Sequence, residues 1–371
     1  MNLFSFKSFN LLILILLMIS PMSMVDAQNK KLNLGVDGLT HGHVVWVFKH
    51  KDTTTFNLVG IAEPNRELAE KMSKQFGFSM DIVYPTLEEM IANTKPEAVA
   101  AFNSTIEHLN TVQVCVPKGI HVMVEKPLAV NYKMAEKMAN LAQKYNIHLI
   151  TNYETTWYPS NQFVNQMLNE DKKIGKPRRI IVSDGHWGPK EINVGKEFLD
   201  WLVDPVKNGG GAIVDFGCYG ANLITWLRNG KMPNYVYATA STFKPDVYTK
   251  IDDDATILLE YDDMVGVVQP SWNWPFSRKD IEVYGETGYV ISHDHANVSY
   301  KLERRKPEET KTLEDRVKPN NNAFDFFKSV VKGEIVLGKN DLSGLNNNLK
   351  VVKILDAARK SAITGKKVKI E

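Results

Sequence analysis

An apolar run, Val122-Met123-Val124, ends in Glu125-Lys126-Pro127. Such a run reads as a buried strand that delivers one ammonium to a sheet edge before the proline turns the chain away. Ligands of open α/β sheets bind outside strand ends of this kind, so Lys126 is a candidate for polarising a substrate hydroxyl. Taken alone the tripeptide is common, and it fits a solvated loop lysine better than an active site. A second feature upstream changes that balance. The turn Gly38-Leu39-Thr40-His41-Gly42-His43 follows the first apolar run and has the outline of a glycine-rich nucleotide turn, but Thr40 and His43 occupy the second and third glycine places. Gly42 supplies flexibility nearby. Glu63 stands at about the distance at which a carboxylate accepts ribose hydroxyls, and an acid there repels a 2′-phosphate, favouring NAD over NADP. Without a ligand, the same acid near a helix start is worth some tenths of a kcal/mol.

These residues need strands to carry them. Leu32 to Asp37, Phe56 to Ala62, Ile82 to Tyr84, Ala98 to Phe102, the run ending at Lys126, and His148 to Ile150 read as six strands. Between them lie amphipathic helices, one with Leu68, Ala69, Met72 and Phe76 on its apolar face and stopped by Gly77, another capped by Asn131. Strict alternation of strand and helix predicts a parallel, doubly wound sheet. After Thr151 the alternation ends. Arg179 to Val182, Tyr235 to Phe243, Thr256 to Tyr261, Val265 to Gln269, Ile281 to Tyr284, Tyr289 to Ser292 and Val298 to Leu302 read as strands joined largely by short turns. One helix, Tyr219 to Arg228, lies among them, and Ala323 to Val331 and Asn347 to Lys360 are amphipathic helices expected to return to the first domain. The fold class is α/β: an N-terminal Rossmann sheet, then a C-terminal α+β domain with a large, mostly antiparallel sheet.

Residues 1–27 read as a secretory signal peptide: Lys7, an apolar core from Leu11 to Ile19, and a small-residue exit at Val25-Asp26-Ala27. The domains are then 28–150, binding NAD, and 151–371, holding substrate and subunit contacts. The protein is expected to be exported to the periplasm. The net charge of +2 is evenly mixed, which gives no reason to expect a nucleic-acid partner, and no membrane association is expected once the signal is removed. Cys115 and Cys218 sit in apolar helical patterns and read as buried thiols. No metal site is expected. His293 and His295 read as turn residues between strands, His41 and His43 as turn residues beside the cofactor, and Asp252-Asp253-Asp254 as a solvated strand start.

With the turn at Gly38, Glu63 and Glu125-Lys126-Pro127 in this order, the chain resembles the Gfo/Idh/MocA oxidoreductases, such as glucose-fructose oxidoreductase and inositol dehydrogenase. The likeness continues through Gly209-Gly210-Gly211-Ala212-Ile213-Val214-Asp215-Phe216-Gly217-Cys218-Tyr219, similar to the family's second signature. It implies that Lys126 is the catalytic lysine, that Asp215 holds the reacting geometry and that position 219 passes the proton. Many members carry His there. Tyr219 resembles the glucose-fructose oxidoreductase and dihydrodiol dehydrogenase branch, in which an ammonium beside a phenol lowers its pKa toward working pH. Asn222 stands where many relatives place an Asp. The candidate cofactor shell is Gly38, Thr40, His41, Gly42, His43, Glu63, Asn103, His108, Glu125 and Lys126. Relatives are commonly dimers or tetramers formed through an open sheet face.

The aromatic residues of the second half cluster in loops. Tyr153, Trp157, His186, Trp187, Trp272 and Trp274, with Arg278, are expected to line a cleft suited to a polyhydroxylated ring. The expected activity is NAD-dependent hydride transfer at a ring CH–OH of a small carbohydrate, with the cofactor staying bound. One alternative is a redox-neutral glycosidase that works by transient oxidation and elimination. Another is a non-catalytic sugar-binding protein on the same scaffold.

Overall fold

The computed structural model describes residues 31–370, so the expected signal peptide lies outside the described residues. Six strands, β1 (Leu32–Asp37), β2 (Phe56–Ala62), β3 (Val83–Tyr84), β4 (Ala98–Ala101), β5 (His121–Glu125) and β6 (Leu149–Asn152), form a parallel sheet in the order β3-β2-β1-β4-β5-β6. The order reverses between β1 and β4, which leaves a crevice at the carboxyl ends of the strands. Register places Asp37 beside Ala62 and Ala101, and Glu125 beside Asn152, so the turns after β1, β2, β4 and β5 open along one edge.

Alternation of side chains across each strand feeds two cores. Leu32, Leu34 and Val36 face one side of the sheet, and Val99, Ala101, Val122 and Val124 face the other. The helix Arg66–Phe76 begins at Asn65, whose Oδ1 accepts the Leu68 N–H, and ends at Gly77 with φ +80°. The late helix Ala323–Val331 does return to the first domain, where Phe324 and Phe327 are buried in the core under β1.

The second sheet contains β7 (Pro177–Gly185), β8 (Tyr235–Ser241), β9 (Asp254–Glu260), β10 (Val265–Ser271), β11 (Arg278–Gly285), β12 (Tyr289–Ser292), β13 (Asn297–Lys301), β14 (Glu309–Thr312) and β15 (Val368–Lys369). Their order is β14-β13-β12-β11-β7-β10-β9-β8-β15, antiparallel apart from the pair β7 and β10. The helix Gly217–Leu227 lies on one face. A Cβ at Gly220 would stand 2.2 Å from Val268 Cγ1, so glycine sets how closely this helix approaches β10. On the other face Tyr237 and Leu258 are exposed. The helix Leu345–Thr364 packs on both Gly217–Leu227 and Tyr132–Lys144, joining the two domains.

The sequence reading needs amendment in three places. The helix after the first turn is short, Val45–Lys49, preceded by a 3₁₀ turn at Gly42–Val44. The helices Pro159–Asn165 and Lys196–Leu202 are not foreseen, being too brief for a periodic pattern to register. Asp252 and Asp253 are not a solvated strand start. Asp252 accepts the N–H groups of Gly211 (2.9 Å) and Ile213 (2.6 Å), while Asp253 is fully buried and accepts those of Phe243 (2.8 Å) and Lys244 (2.7 Å). These amides have no other partner in their turns, so the carboxylates are drawn inward to satisfy them.

Candidate active site

β5 carries Lys126 to the sheet edge, and its ammonium meets the second domain there. Nζ is paired with the Asp215 carboxylate and lies 3.2 Å from the Asp215 carbonyl oxygen. Burial works against both charges, but each sustains the other. Asp215 holds the Lys126 ammonium above its usual pKa, and Lys126, helped by the Trp272 N–H at 3.0 Å from Oδ2, holds the Asp215 carboxyl below its own. Asp215 is placed by the glycine triplet. A Cβ at Gly211 would stand 1.8 Å from the Asp252 carbonyl oxygen, so only glycine fits where Asp252 caps the short helix Ala212–Asp215.

Tyr219 enters from the first turn of the next helix, with its ring centroid 5.2 Å from Lys126 Nζ. A second ammonium, Lys279 Nζ, lies 4.8 Å from the same ring and is paired with Glu154, whose Oε1 accepts the Tyr158 hydroxyl at 2.7 Å. The expected lowering of the phenol's pKa is not found. Burial, followed by the carboxylates of Glu154 and Asp184, holds Tyr219 well above its ordinary value. The two nearby ammoniums do not reverse this, because each already faces a carboxylate.

These groups share a cavity of about 1030 Å³ lined by Lys126, Asp215, Tyr219, Glu154, Lys279 and His186 among others. His186 Nδ1 accepts the Gly188 N–H at 2.9 Å, and burial lowers the ring's pKa. A neutral imidazole whose Nδ1 lone pair is so engaged carries its proton on Nε2, which makes it a donor rather than a base. Asp184 is 1% exposed and neither of its carboxylate oxygens has a partner among the described residues; burial raises its pKa well above the usual range.

The expected aromatic platform is not part of this lining. Trp272 is fully buried behind Asp215. Trp157 packs on Phe326 and donates its indole N–H to Asn152 Oδ1 at 3.2 Å. Tyr153 is also fully buried, with its ring edge-on to Tyr219 at 5.3 Å. Trp187 is 57% exposed outside the cavity, and Trp274 lies under the Arg278 guanidinium at 5.4 Å. Large rings were drawn to core and capping positions by their area and by the partner each N–H requires. His186 and Arg278 do reach the cavity, the latter at its rim and bidentate to Asp280 at 2.8 Å. Sequence reasoning missed Lys279 and Glu154. The signal for Lys279 was present: it shares strand parity with Ile281 and Val283, both buried, so it is a lysine in a core-facing register.

On the nucleotide side, Gly38 has φ +82°, and a Cβ there would stand 2.7 Å from Asn103 Cβ. Glu63 is 4% exposed and accepts the Leu39 and Asn65 N–H groups, each at 2.8 Å. Thr40 Oγ1 accepts the Trp201 indole N–H at 3.1 Å, and His41 is buried against Phe198 and Trp201. Gly42 and His43 open onto the cavity, and His43 Nδ1 lies 3.0 Å from Glu125 Oε2. Two buried acceptors here lack partners among the described residues. Asn103 uses its Nδ2 on Asp37 (3.0 Å) and Thr111 (3.1 Å), which leaves Oδ1 bare. His108, pushed by burial to about 4 and so neutral, uses Nδ1 on the Leu128 carbonyl (3.2 Å), which leaves Nε2 bare. A buried acceptor without a donor costs about 1–3 kcal/mol, so both fit a ligand bearing hydroxyl or amide donors, as a nicotinamide dinucleotide does.

Two family models match the chain. An oxidoreductase family with an NAD-binding Rossmann fold, GFO/IDH/MocA, matches residues 34–153, and the GFO/IDH/MocA C-terminal domain matches residues 163–291. Among curated proteins, the chain is 30% identical over 157 residues to trans-1,2-dihydrobenzene-1,2-diol dehydrogenase of Xenopus laevis, covering 42% of each chain. It is 28% identical over 178 residues to the rhizopine catabolism protein MocA of Rhizobium meliloti, covering 47% of this chain and 51% of that one. The chain therefore spans about half the length of the curated relatives it matches. In fold it is similar to an aldose-aldose oxidoreductase from Caulobacter crescentus complexed with glycerol (TM-score 0.75, 21% identity, 92% of this chain and 100% of that one). It is equally similar to an inositol dehydrogenase homolog complexed with NAD+ from Azotobacter vinelandii (TM-score 0.77, 17% identity, 92% and 98%).

Proposed function

Because the chain belongs to the GFO/IDH/MocA oxidoreductase family, we propose that it transfers hydride at a ring CH–OH of a sugar or other polyol, with Lys126 and Tyr219 handling the hydroxyl proton. The observation that carries this reading is the convergence of Lys126, Asp215 and Tyr219, from two domains, on one cavity at the strand ends. When bound, NAD supplies the hydride acceptor or donor at its nicotinamide ring. Lys126, anchored by Asp215, polarises the substrate oxygen, and the His186 Nε2–H is a second donor available to it. Tyr219 rests as the neutral phenol, which suits it to protonating the oxygen of a carbonyl undergoing reduction. In the oxidative direction the same residue has to lose its proton first, so that direction is favoured by alkaline pH.

The relatives support the same class of substrate, one being named for a diol and one neighbour in fold being complexed with glycerol. The Glu154–Lys279 pair against Tyr219 favours a second reading: a glycosidase that oxidises transiently needs a further acid–base pair for elimination. Incubating the purified protein with polyols and glycosides separates the two. Net NADH formation supports dehydrogenation, release of free aglycone without NADH supports elimination, and neither product with any substrate overturns the catalytic reading. The leader-like residues 1–27 lead us to propose export as well; an uncleaved N-terminus in cytosolic fractions would refute it.

A further inference from the structure

The polar groups of the cavity gather at its inner end, around Lys126, Asp215 and Tyr219, and its mouth differs in character. Two segments form one wall there. The turn 186–195 leaves β7 at Gly185, and the loop 272–277 joins β10 to β11. Register sets Gly185 beside both Ser271 and Arg278, so the two segments spring from one end of the sheet. The His186 N–H donates to the Ser271 carbonyl (3.0 Å) and the Trp274 N–H to the His186 carbonyl (3.3 Å). Lys244 ties them further: its ammonium donates to the carbonyls of Trp187 and Trp272, each at 2.7 Å, and pairs with Glu191. The turn also closes on itself, the Ile192 and Val194 N–H groups donating to the carbonyls of Gly188 (3.0 Å) and Pro189 (3.1 Å).

This fixed wall presents apolar side chains to the cavity. Pro189, Ile192 and Val194 line it from the turn and Phe276 from the loop, yet Ile192 is 48% exposed and Phe276 65%. Single apolar residues scattered over a surface need no explanation, but large ones held together in water at the mouth of a catalytic cavity mark a binding surface. The dinucleotide does not cover them. It enters by the crossover turn of the first domain, whereas Phe276 directly precedes Ser277, Arg278 and Lys279, at the Tyr219 end. An anion does not suit the wall either, because Lys126, Lys279 and Arg278 on the same lining already face Asp215, Glu154 and Asp280.

We propose that the substrate is a polyol carrying an uncharged aryl substituent, with the reacting CH–OH at Lys126 and Tyr219 and the aryl ring against Ile192 and Phe276. The ring and the wall leave water together, and the Phe276 ring adds an aromatic contact beyond the area buried. This inference deepens the dehydrogenase reading above and rests on it.

The test uses the full mature chain loaded with NAD+ and, as probes, the phenylethyl and methyl glycosides of glucose, galactose and mannose. Both substituents leave as simple alcohols, so a difference between them reports the wall rather than the leaving group. Turnover is counted as NADH formed or alcohol released, and binding of the same pairs is measured by calorimetry. For the wild type, kcat/KM and affinity with a phenylethyl glycoside should exceed those with its methyl partner about tenfold or more. Ile192→Ala and Phe276→Ala should each lower that ratio severalfold, and Phe276→Leu should restore part of it. A wild-type ratio near one, or an equal loss with both partners in the variants, overturns the aryl subsite and leaves the dehydrogenase reading standing. A changed mass of Phe276→Ala in light scattering, with the ratio kept, assigns the wall to contact with a second copy of the chain and also overturns it. Turnover of no probe counts against the dehydrogenase reading, while the binding ratio still decides whether the wall holds an aryl group.

Discussion

Tyr219 is the residue whose chemistry depends most on its surroundings. Burial and the carboxylates of Glu154 and Asp184 raise its pKa, so the group exists as phenol across the neutral range. The sign follows directly: a reaction needing the phenolate is slow below the raised pKa and accelerates as pH climbs toward it. The oxidation rate measured against pH should therefore still be rising at about pH 10, the pKa of an unperturbed phenol. A plateau reached near neutrality would assign the base to another group. Lys279 provides a separate check. Lys279→Met should push the alkaline limb still higher and lower the turnover number about tenfold, while Lys279→Arg restores most of both. An unchanged pH profile in Lys279→Met would show that this ammonium, despite standing 4.8 Å from the ring, has no part in the proton transfer.

At the scale of elements, the glycine triplet and the acids after β8 form one device. Asp252 ties the amides of Gly211 and Ile213, and so fixes the short helix that ends in Asp215. Asp252→Ala strands two buried N–H groups and should cost about 2–6 kcal/mol in denaturant unfolding, from roughly 1–3 per group. A loss below about 0.5 kcal/mol would mean that water replaces the carboxylate. β1 ends in another acid, Asp37. Burial raises the Asp37 carboxyl to about 7, partly offset by the Thr111 hydroxyl, with Glu107 and Glu63 adding to the rise. A carboxyl raised above its unfolded value contributes stability at low pH that is lost as pH rises through the folded value. The melting temperature of the wild type should therefore fall relative to Asp37→Asn between about pH 4 and pH 8. A constant difference across that window would contradict the shift.

Legibility in the sequence followed the range of the interaction. Gly38, Glu63 and Lys126 were readable because each sits at the end of its own strand, where local pattern fixes position. Glu154 follows β6 of the first sheet and Lys279 lies on β11 of the second, so the two, 125 residues apart, meet only where the sheets come together, a contact no local pattern reveals. The tryptophans misled for a related reason: ring type indicates affinity for a sugar face, but tertiary packing decides which rings remain at a surface. Even so, the core-facing parity of Lys279 was in the sequence, had the strand period been applied to charged residues.

For the molecule as a whole, the active site exists only while the domains hold together. The helix Leu345–Thr364 spans both, and Arg359 donates to the Val130 carbonyl at 2.8 Å as well as to that of Gly209, linking the loop after Lys126 to the glycine triplet. The helix Ala323–Val331 seals the first domain from the far end of the chain. Phe327→Ala should cost about 3–5 kcal/mol and unfold both domains in one transition. Two separated transitions would show that the domains are stable independently. The measurement closest to the central claim is single-turnover hydride transfer in the cofactor-loaded protein, followed by nicotinamide fluorescence, for the wild type, Lys126→Met, Tyr219→Phe and the double variant. If amine and phenol act on one hydroxyl as a unit, each single change slows transfer by about 10²–10⁴ and the double change is little worse than the slower single. Transfer at the wild-type rate in either single variant, or losses that multiply in full in the double one, would contradict it.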